Sequence, residues 1–337
     1  MKKADTSEFY KILSEDYPEW LDEYINTHEL QTQKHISVTC GKIYTNLFSG
    51  MDYYSSLDHS IAVALIIWHF THDKKQTLAG LFHDISTPAF KHCVDFMNGD
   101  YLKQESTEEL TTTFIKRSDD VLKLLKRDGI NVEEINDYHI YPIADNDIPK
   151  LSADRLEYSL SNALFVYKLS TIEETKEFYD DLEIQQNEFG EIELGFRTKA
   201  IARKFVRLTS KLSILYRNDE TRFSMQFIAD VLKGLKDDGL IKVEDLYDIK
   251  ESEVIEIIKN SKYREAFEAW QKAKKVHVSK EKPAGVYSVH EKVKVRYIDP
   301  LVKGERTSRI CKIAKNAIEK NFAYNMDTYV YLDFKME

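Results

Sequence analysis

Residues 78–86 read LAGLFHDIS, a short apolar run that ends in an adjacent histidine and aspartate, His83 and Asp84. An apolar run of this kind favours a short buried helix. Neighbouring residues on a helix point about 100° apart. Both side chains can therefore reach one ion only if that ion lies beside the end of the helix. The pair predicts a metal site at that position.

Two other segments carry matching residue types. His59 stands near the start of residues 58–70, DHSIAVALIIWHF, which are apolar nearly all round and predict a buried helix. Asp154 lies in residues 152–169, SADRLEYSLSNALFVYKL, whose apolar spacing is helical and whose Ser152 is suited to cap the helix. Two imidazoles and two carboxylates suit a divalent transition metal. The predicted ligands of Mn²⁺, Fe²⁺, Ni²⁺ or Zn²⁺, with Mg²⁺ as a further candidate, are His59, His83, Asp84 and Asp154.

Such a ligand set indicates hydrolytic chemistry. Four protein ligands on a six-coordinate ion leave two positions open, and open positions are where water is activated and phosphate is bound. Structural metal sites, by contrast, usually fill their coordination with protein ligands. A hydrolase is therefore the first hypothesis.

Together the three segments resemble the HD superfamily of metal-dependent phosphohydrolases, whose signature is H…HD…D. Residues 58–64, DHSIAVA, are similar to the EHSLGVA of the branch that contains bacterial dGTP triphosphohydrolases and the mammalian SAM- and HD-domain dNTP hydrolase. Residues 81–92, LFHDISTPAFKH, are similar to its LCHDxGHGPFSH, and residues 152–160, SADRLEYSL, to its DADRLDYLL. The resemblance covers residues 30 to 260. It implies a mostly α fold built on an HD-domain helical bundle, and hydrolysis of a nucleotide or another small phosphate ester.

Two further residues gain a role from this resemblance. His92 matches an active-site histidine of the family, which implies proton transfer or contact with phosphate; the alternative is a structural histidine near the pocket. Glu105 matches the glutamate of a family His-Glu pair and is predicted to position a base or to act as one. Its alternative is a solvated carboxylate at a helix start.

Other family groups are replaced. Thr87 stands where the branch has a second histidine, and Gln104 where it has the histidine of the His-Glu pair. The arginine that contacts substrate phosphate falls near Ser56, and the Gln-Leu-Gly that reads the sugar falls near residues 40–42, Cys-Gly-Lys. Two functions remain open: a metal-dependent phosphohydrolase, or an HD-domain nucleotide-binding or regulatory protein with weak or no turnover.

The composition and net charge of the chain limit the classes of molecule that it is expected to bind. The chain has 337 residues, of which 42% are hydrophobic and 31% charged, as in an ordinary globular protein. A net charge of −9 argues against general nucleic-acid binding, whereas a small anionic phosphate-containing ligand fits a site with a cation.

The apolar run 61–68 is shorter than the roughly 20 residues that cross a bilayer. Three separated cysteines favour a reducing, cytoplasmic location; a homo-oligomer is a further expectation.

Patterns along the chain predict four parts. They are N-terminal helices (1–34), an HD metal-binding helical domain (35–218), a helical extension (219–275) and a small C-terminal α/β element (284–337). The polar basic run 271–283 predicts a linker.

Four segments carry more detailed predictions. Residues 192–219 predict one amphipathic helix with a basic stripe, which is either a phosphate-binding surface or a solvated helix face. In the C-terminal element, residues 286–302 and 327–334 predict strands, and residues 310–325 predict a helix between them.

Overall fold

Helices dominate the computed structural model, which describes residues 2–102 and 110–336. In this part of the chain the helices are α1 (Ser7–Leu13), α2 (Leu21–Ile25), α3 (His28–Thr32), α4 (Ser56–Thr71), α5 (Lys74–Phe82), α6 (Cys93–Met97), α7 (Thr111–Arg117), α8 (Asp119–Asp128), α9 (Ala153–Ser161), α10 (Ile172–Asp180), α11 (Lys199–Leu215), α12 (Asp219–Asp237), α13 (Glu251–Lys259), α14 (Arg264–Lys272), α15 (Thr307–Ile310) and α16 (Lys312–Phe322). The strands are β1 (Leu182–Gln186), β2 (Ile192–Phe196), β3 (His277–Ser279), β4 (Ser288–Val289), β5 (Leu301–Val302), β6 (Glu305–Arg306) and β7 (Tyr329–Tyr331). The predicted fold class, mostly α with a small α/β element, is confirmed.

The helix α4 lies at the centre of the larger of two main hydrophobic clusters. Its apolar residues from Leu57 to Ile67 are buried on all sides, as their continuous run predicts, and Trp68 and Phe70 are half-buried. A capping box closes its first turn: the Ser55 hydroxyl accepts from the Asp58 N–H, and the Asp58 carboxylate accepts from the Ser55 N–H. The cap fixes where the helix starts, and therefore where His59 points.

The second main cluster joins α6, α12, α13 and α14 with the strands β4 and β7. A smaller cluster, between α11 and α16, contains Val206, Cys311, Ala314 and Ile318. No helix in the described ranges is long and apolar enough to cross a membrane.

The prediction of one helix over residues 192–219 is wrong at its start. Residues 192–196 form β2, which pairs with β1 in a hairpin, and α11 begins only at Lys199. The reason is tertiary: β2 also pairs in parallel with β5, so the sheet order is β1-β2-β5-β6. Thr198 separates strand from helix, and its N–H donates to the Asp181 carboxylate over 3.0 Å.

The C-terminal predictions are partly confirmed. Strand β7 and helix α16 lie inside the segments predicted to hold them. The continuous strand predicted over 286–302 is wrong, because only its two ends, β4 and β5, pair with other strands. The predicted linker 271–283 contains β3, which pairs with β7 in a second sheet of order β3-β7-β4.

Candidate metal centre and active-site cavity

Three of the predicted ligands meet at one point. His59 comes from the first turn of α4, His83 follows the end of α5, and Asp154 lies in the first turn of α9. The two Nε2 atoms are 3.2 Å apart, and Asp154 Oδ1 is 3.2 Å from His59 Nε2 and 3.7 Å from His83 Nε2. All three ligand atoms lie within 4.8 Å of one another. The spacing is that of groups able to share a cation.

The outer nitrogen of each imidazole is held by an acceptor. His59 Nδ1 contacts the buried carboxylate of Glu157, and His83 Nδ1 lies 2.7 Å from the Gly80 carbonyl oxygen. Each acceptor is placed to take a hydrogen bond from the Nδ1 side of its ring, which turns the Nε2 atom of each histidine towards Asp154 and towards the other histidine. Metal-binding histidines are oriented by partners of this kind, so the residues fit a divalent metal.

Asp84 lies beside this group. Its two carboxylate oxygens are each 3.8 Å from one of the histidine Nε2 atoms, and its Oδ2 accepts from Lys91 Nζ over 2.6 Å. Lys91 also reaches the Ser56 hydroxyl, 3.3 Å away. The lysine therefore brings a positive charge to the position at which the family resemblance places an arginine.

Charge within the cluster shifts its pKa values. Burial alone would lower the pKa of His59, but the charges and hydrogen bonds of Glu157 and Asp154 outweigh it and raise the pKa to about 10. Burial likewise opposes ionisation of Asp154, yet His59 and His83 hold its pKa down to about 2. Burial also raises the pKa of Asp84, and Lys91 most strongly overcomes it, so this carboxyl stays ionised. The negative field that attracts a proton to His59 also favours a divalent cation.

His92 lies at the cavity wall with a buried partner. Its Nδ1 is 2.8 Å from the Asp95 carboxylate, which is fully buried. The preceding residues, Phe90 and Lys91, adopt positive φ angles of 66° and 46°, which are strained for side chains other than glycine. This turn directs Lys91 and His92 towards the same cavity. Glu105 and Gln104 lie outside the described residues.

The cavity measures about 960 Å³ and is lined by the predicted ligands and His92. Sequence reasoning did not single out several of its charged residues: Lys42, Lys91, Glu157, Lys294 and Arg296. Lys42 and Glu157 lie inside segments that resemble the family's motifs, so their positions in the sequence could have suggested that they line the site. Nothing in the sequence signals Lys294 and Arg296, which come from a segment with a strand pattern.

The basic stripe predicted on α11 does not line this cavity. One of its members, Lys204, pairs with Glu177 across 2.9 Å on an exposed surface. The stripe fits the reading as a solvated helix face.

Comparison with known proteins gives relatives in sequence and in fold. No family model matches the chain. The Bacillus subtilis protein YdhJ is 26% identical over 249 residues, 73% of each chain. The metal-dependent phosphohydrolase cns2 of Cordyceps militaris is 26% identical over 119 residues, 34% of this chain and 32% of the fungal one.

Two solved structures share the fold over almost the whole chain. A hypothetical protein from Aquifex aeolicus has a TM-score of 0.56 at 15% identity and covers 94% of this chain and 93% of its own. A phosphohydrolase from Bacteroides thetaiotaomicron has a TM-score of 0.58 at 12% identity, with coverages of 95% and 94%. Two of these four proteins are named as phosphohydrolases, one of them as metal-dependent, whereas the HD superfamily and its dGTP triphosphohydrolase branch stay predictions for this chain.

Proposed function

We propose that this protein is a metal-dependent phosphohydrolase that acts on a nucleotide or another small phosphate ester. The observation that carries the proposal is the convergence of two Nε2 atoms and the Asp154 carboxylate, with both Nδ1 atoms tied to acceptors. Its similarity in sequence and fold to proteins named as phosphohydrolases supports the same reaction class. The proposed metal ligands are His59, His83, Asp84 and Asp154.

Each surrounding residue has a distinct task in this proposal. A bound divalent metal would supply Lewis acidity, which polarises a phosphoryl oxygen and lowers the pKa of water. Lys91 holds Asp84 in place and adds positive charge near the phosphoryl group. His92, held through Nδ1 by Asp95, is the proposed proton carrier, because its second ring nitrogen is left for the reacting groups.

The first experiment measures metal content and turnover together. The purified protein should contain about one divalent metal per chain and should hydrolyse p-nitrophenyl phosphate or a nucleotide when that metal is present. Asp154→Ala should lose both the metal and the turnover. Asp147→Asn is the matched control, since Asp147 is an aspartate at the cavity rim that is almost fully exposed.

Two results would decide against the proposal. Full metal occupancy in Asp154→Ala would contradict the ligand assignment. Stabilisation of the wild-type protein by a nucleotide, with no turnover under any metal, would favour the regulatory alternative.

His92 is tested separately. His92→Ala should keep the metal and the fold but lower kcat at least about tenfold, a threshold set below the roughly 10²–10⁴-fold effect of a positioned proton carrier. Asp95→Asn should lower kcat less, because the imidazole stays while its orienting charge is lost. Unchanged kcat in folded, metal-loaded His92→Ala would leave Glu105 as the proposed base.

A further inference from the structure

Lys42 is a buried cation with neutral partners. Its residue is 6% exposed, and its Nζ donates to the Tyr167 hydroxyl over 2.9 Å. The ammonium also lies 5.4 Å from the ring centroid of Tyr167 and 5.7 Å from that of Phe48. Among the residues that the structure describes, no carboxylate lies within ion-pair distance of this Nζ. A buried charge is costly unless an opposite charge accompanies it.

The backbone holds Lys42 at the cavity wall. It begins a short 3₁₀ turn, Lys42–Tyr44, after Gly41, whose φ of 78° lies in the left-handed region. A Cβ at Gly41 would be 3.0 Å from the Phe90 ring. The turn is therefore both conformationally and sterically specified. The constrained backbone of this turn therefore holds the charged side chain of Lys42 against the cavity.

A cluster of tyrosines connects Lys42 with Arg296. The Tyr167 and Tyr216 ring centroids are 6.0 Å apart, and those of Tyr216 and Tyr158 are 6.4 Å apart. Burial raises the pKa of Tyr158 to about 12, and the positive charge of Arg296 is the strongest influence opposing that rise. Lys42 and Arg296 also line one cavity together with Tyr158 and Tyr216.

This aromatic group starts close to the proposed metal ligands. Tyr158 follows Asp154 by four residues on α9, on the same helical face and about 6 Å further along the axis. Lys42, Arg296 and the two histidines line one cavity of about 960 Å³. A cavity of this size can hold one small molecule that carries two anionic groups.

The segment that carries Arg296 is fixed by buried side chains. Asn321 is fully buried; its Nδ2 donates to the Arg296 carbonyl oxygen over 2.9 Å, and its Oδ1 accepts from Arg217 over 2.8 Å. Nearby, the Lys294 N–H donates to the Tyr101 carbonyl oxygen over 3.2 Å. Lys294 and Arg296 lie two residues apart in this segment, and both line the cavity. This wall of the cavity is therefore built to present positive charge.

We propose that Lys42, Lys294 and Arg296 form a second anion-binding subsite in the cavity, so that the substrate is an organic phosphate with a second anionic group. This inference rests on the proposed function, because the first anionic group is the phosphoryl group at the histidines. The second group is joined either through a phosphate chain or across the sugar ring. Its charge compensates the buried Lys42 ammonium when the substrate is bound.

Three probes distinguish these arrangements: adenosine 5′-monophosphate, adenosine 5′-diphosphate and adenosine 3′,5′-bisphosphate. Their affinities for the purified protein are measured by calorimetry, and the same samples are assayed for released phosphate. The wild-type protein should bind at least one of the two probes that carry two phosphate groups more tightly than the monophosphate. Preference for the diphosphate indicates a phosphate chain, and preference for the bisphosphate indicates groups separated by the sugar.

Lys42→Met removes the charge and keeps the shape of the side chain. It should weaken binding of the preferred probe at least about tenfold, the effect of losing a charge-assisted hydrogen bond. It should change monophosphate binding less than about twofold and should leave the melting temperature unchanged or higher, because an uncompensated buried charge is gone. Arg296→Met should have the same selective effect. Lys150→Met is the control, since Lys150 lines the same cavity but pairs with Glu191 across 2.7 Å.

The outcomes separate this inference from the proposed function. Equal losses for all three probes, no loss for any of them, or no binding of any probe to the wild-type protein would overturn the subsite. Selective loss in Lys42→Met without any released phosphate would support the subsite and contradict the hydrolase. Metal-dependent hydrolysis, together with equal effects of Lys42→Met on all three probes, would support the hydrolase and contradict the subsite.

Discussion

Single residues outside the ligand set control the geometry of the centre. Glu157 is fully buried, contacts His59 Nδ1 and accepts from the Tyr54 hydroxyl over 2.7 Å. It thereby determines which nitrogen of His59 faces the other ligands. An orienting carboxylate of this kind commonly changes metal affinity when it is replaced.

Glu157→Gln should weaken metal binding roughly 10- to 100-fold, since the amide keeps the size of the side chain but loses the charge that orients His59. Competition with a calibrated chelator measures the affinity. Tyr54→Phe is the matched control: it removes the hydroxyl on the other side of Glu157 and should cost less. Equal affinities of Glu157→Gln and wild type would show that Glu157 is only a packing residue.

A second buried carboxyl, Glu251, stabilises the strained turn before His92. Its Oε1 accepts from the Phe90 N–H over 3.2 Å and its Oε2 accepts from the Tyr44 hydroxyl over 2.7 Å. Burial raises its pKa from 4.5 to about 7, against the hydrogen bonds that favour ionisation. In the unfolded chain the carboxyl ionises near its ordinary pKa, whereas in the folded protein it stays protonated until the pH is higher.

Stability should therefore be lost as the pH rises from about 4.5 to about 7, with a contribution from Glu251 on the order of 3 kcal/mol. Glu251→Gln does not titrate and should flatten this part of the profile. Urea unfolding at several pH values measures the difference between the two proteins. The same slope in both would show that Glu251 ionises normally in the folded state.

At the scale of elements, the close contact of α4 and α5 brings His59 and His83 together. Gly80 lies inside α5, and a Cβ there would be 2.2 Å from Ile67 Cδ1 and 3.3 Å from Val63 Cγ1 of α4. The same glycine supplies the carbonyl that holds His83 Nδ1. A small residue at this point therefore determines both the helix spacing and the orientation of a proposed ligand.

Gly80→Ala should destabilise the protein by about 1–3 kcal/mol through overpacking. The higher helix propensity of alanine would by itself stabilise the protein by up to about 1 kcal/mol. The sign of the change in the free energy of unfolding therefore shows whether overpacking or helix propensity dominates. Ile67→Val removes the clashing methyl group. The double variant should therefore be more stable than the sum of the single changes by at least about 0.5 kcal/mol, as measured by denaturant unfolding.

At the scale of the whole molecule, the C-terminal segment is interleaved with the helical part. Strand β5 joins the sheet of β1 and β2, and α16 packs against α11. Buried Arg222 donates to the Met326 carbonyl oxygen over 2.7 Å and to the Thr328 carbonyl oxygen over 2.9 Å. These contacts connect residues about a hundred positions apart. We therefore do not expect the C-terminal segment to separate from the helical part as a folded unit.

Deletion of residues 284–337 should abolish cooperative unfolding, because it would expose to water the apolar residues of α12 that now pack against β4 and β7. Circular dichroism and calorimetry on the shortened chain measure this. The full chain provides an independent check, since it should unfold in a single calorimetric transition. A shortened chain that folds cooperatively would instead support the C-terminal element as a separate unit.

The sequence by itself determined the helical class, the buried helix α4 and the segments whose histidines and aspartate lie together. It could do so because these features depend on local apolar periodicity and capping, which neighbouring residues specify. The Ser152 cap is an example: its hydroxyl accepts from the Arg155 N–H and places Asp154 in the first turn of α9.

Only the tertiary structure decided β2, the role of Glu157 and the cations that line the cavity. Residues 192–196 became a strand because β1 and β5 were available to pair with them. Glu157 meets His59 across 98 positions of sequence, and Arg296 reaches the cavity because the distant Asn321 holds its backbone. Contacts between residues so far apart produce no periodic pattern in the sequence, since each contact forms only after the helices have packed.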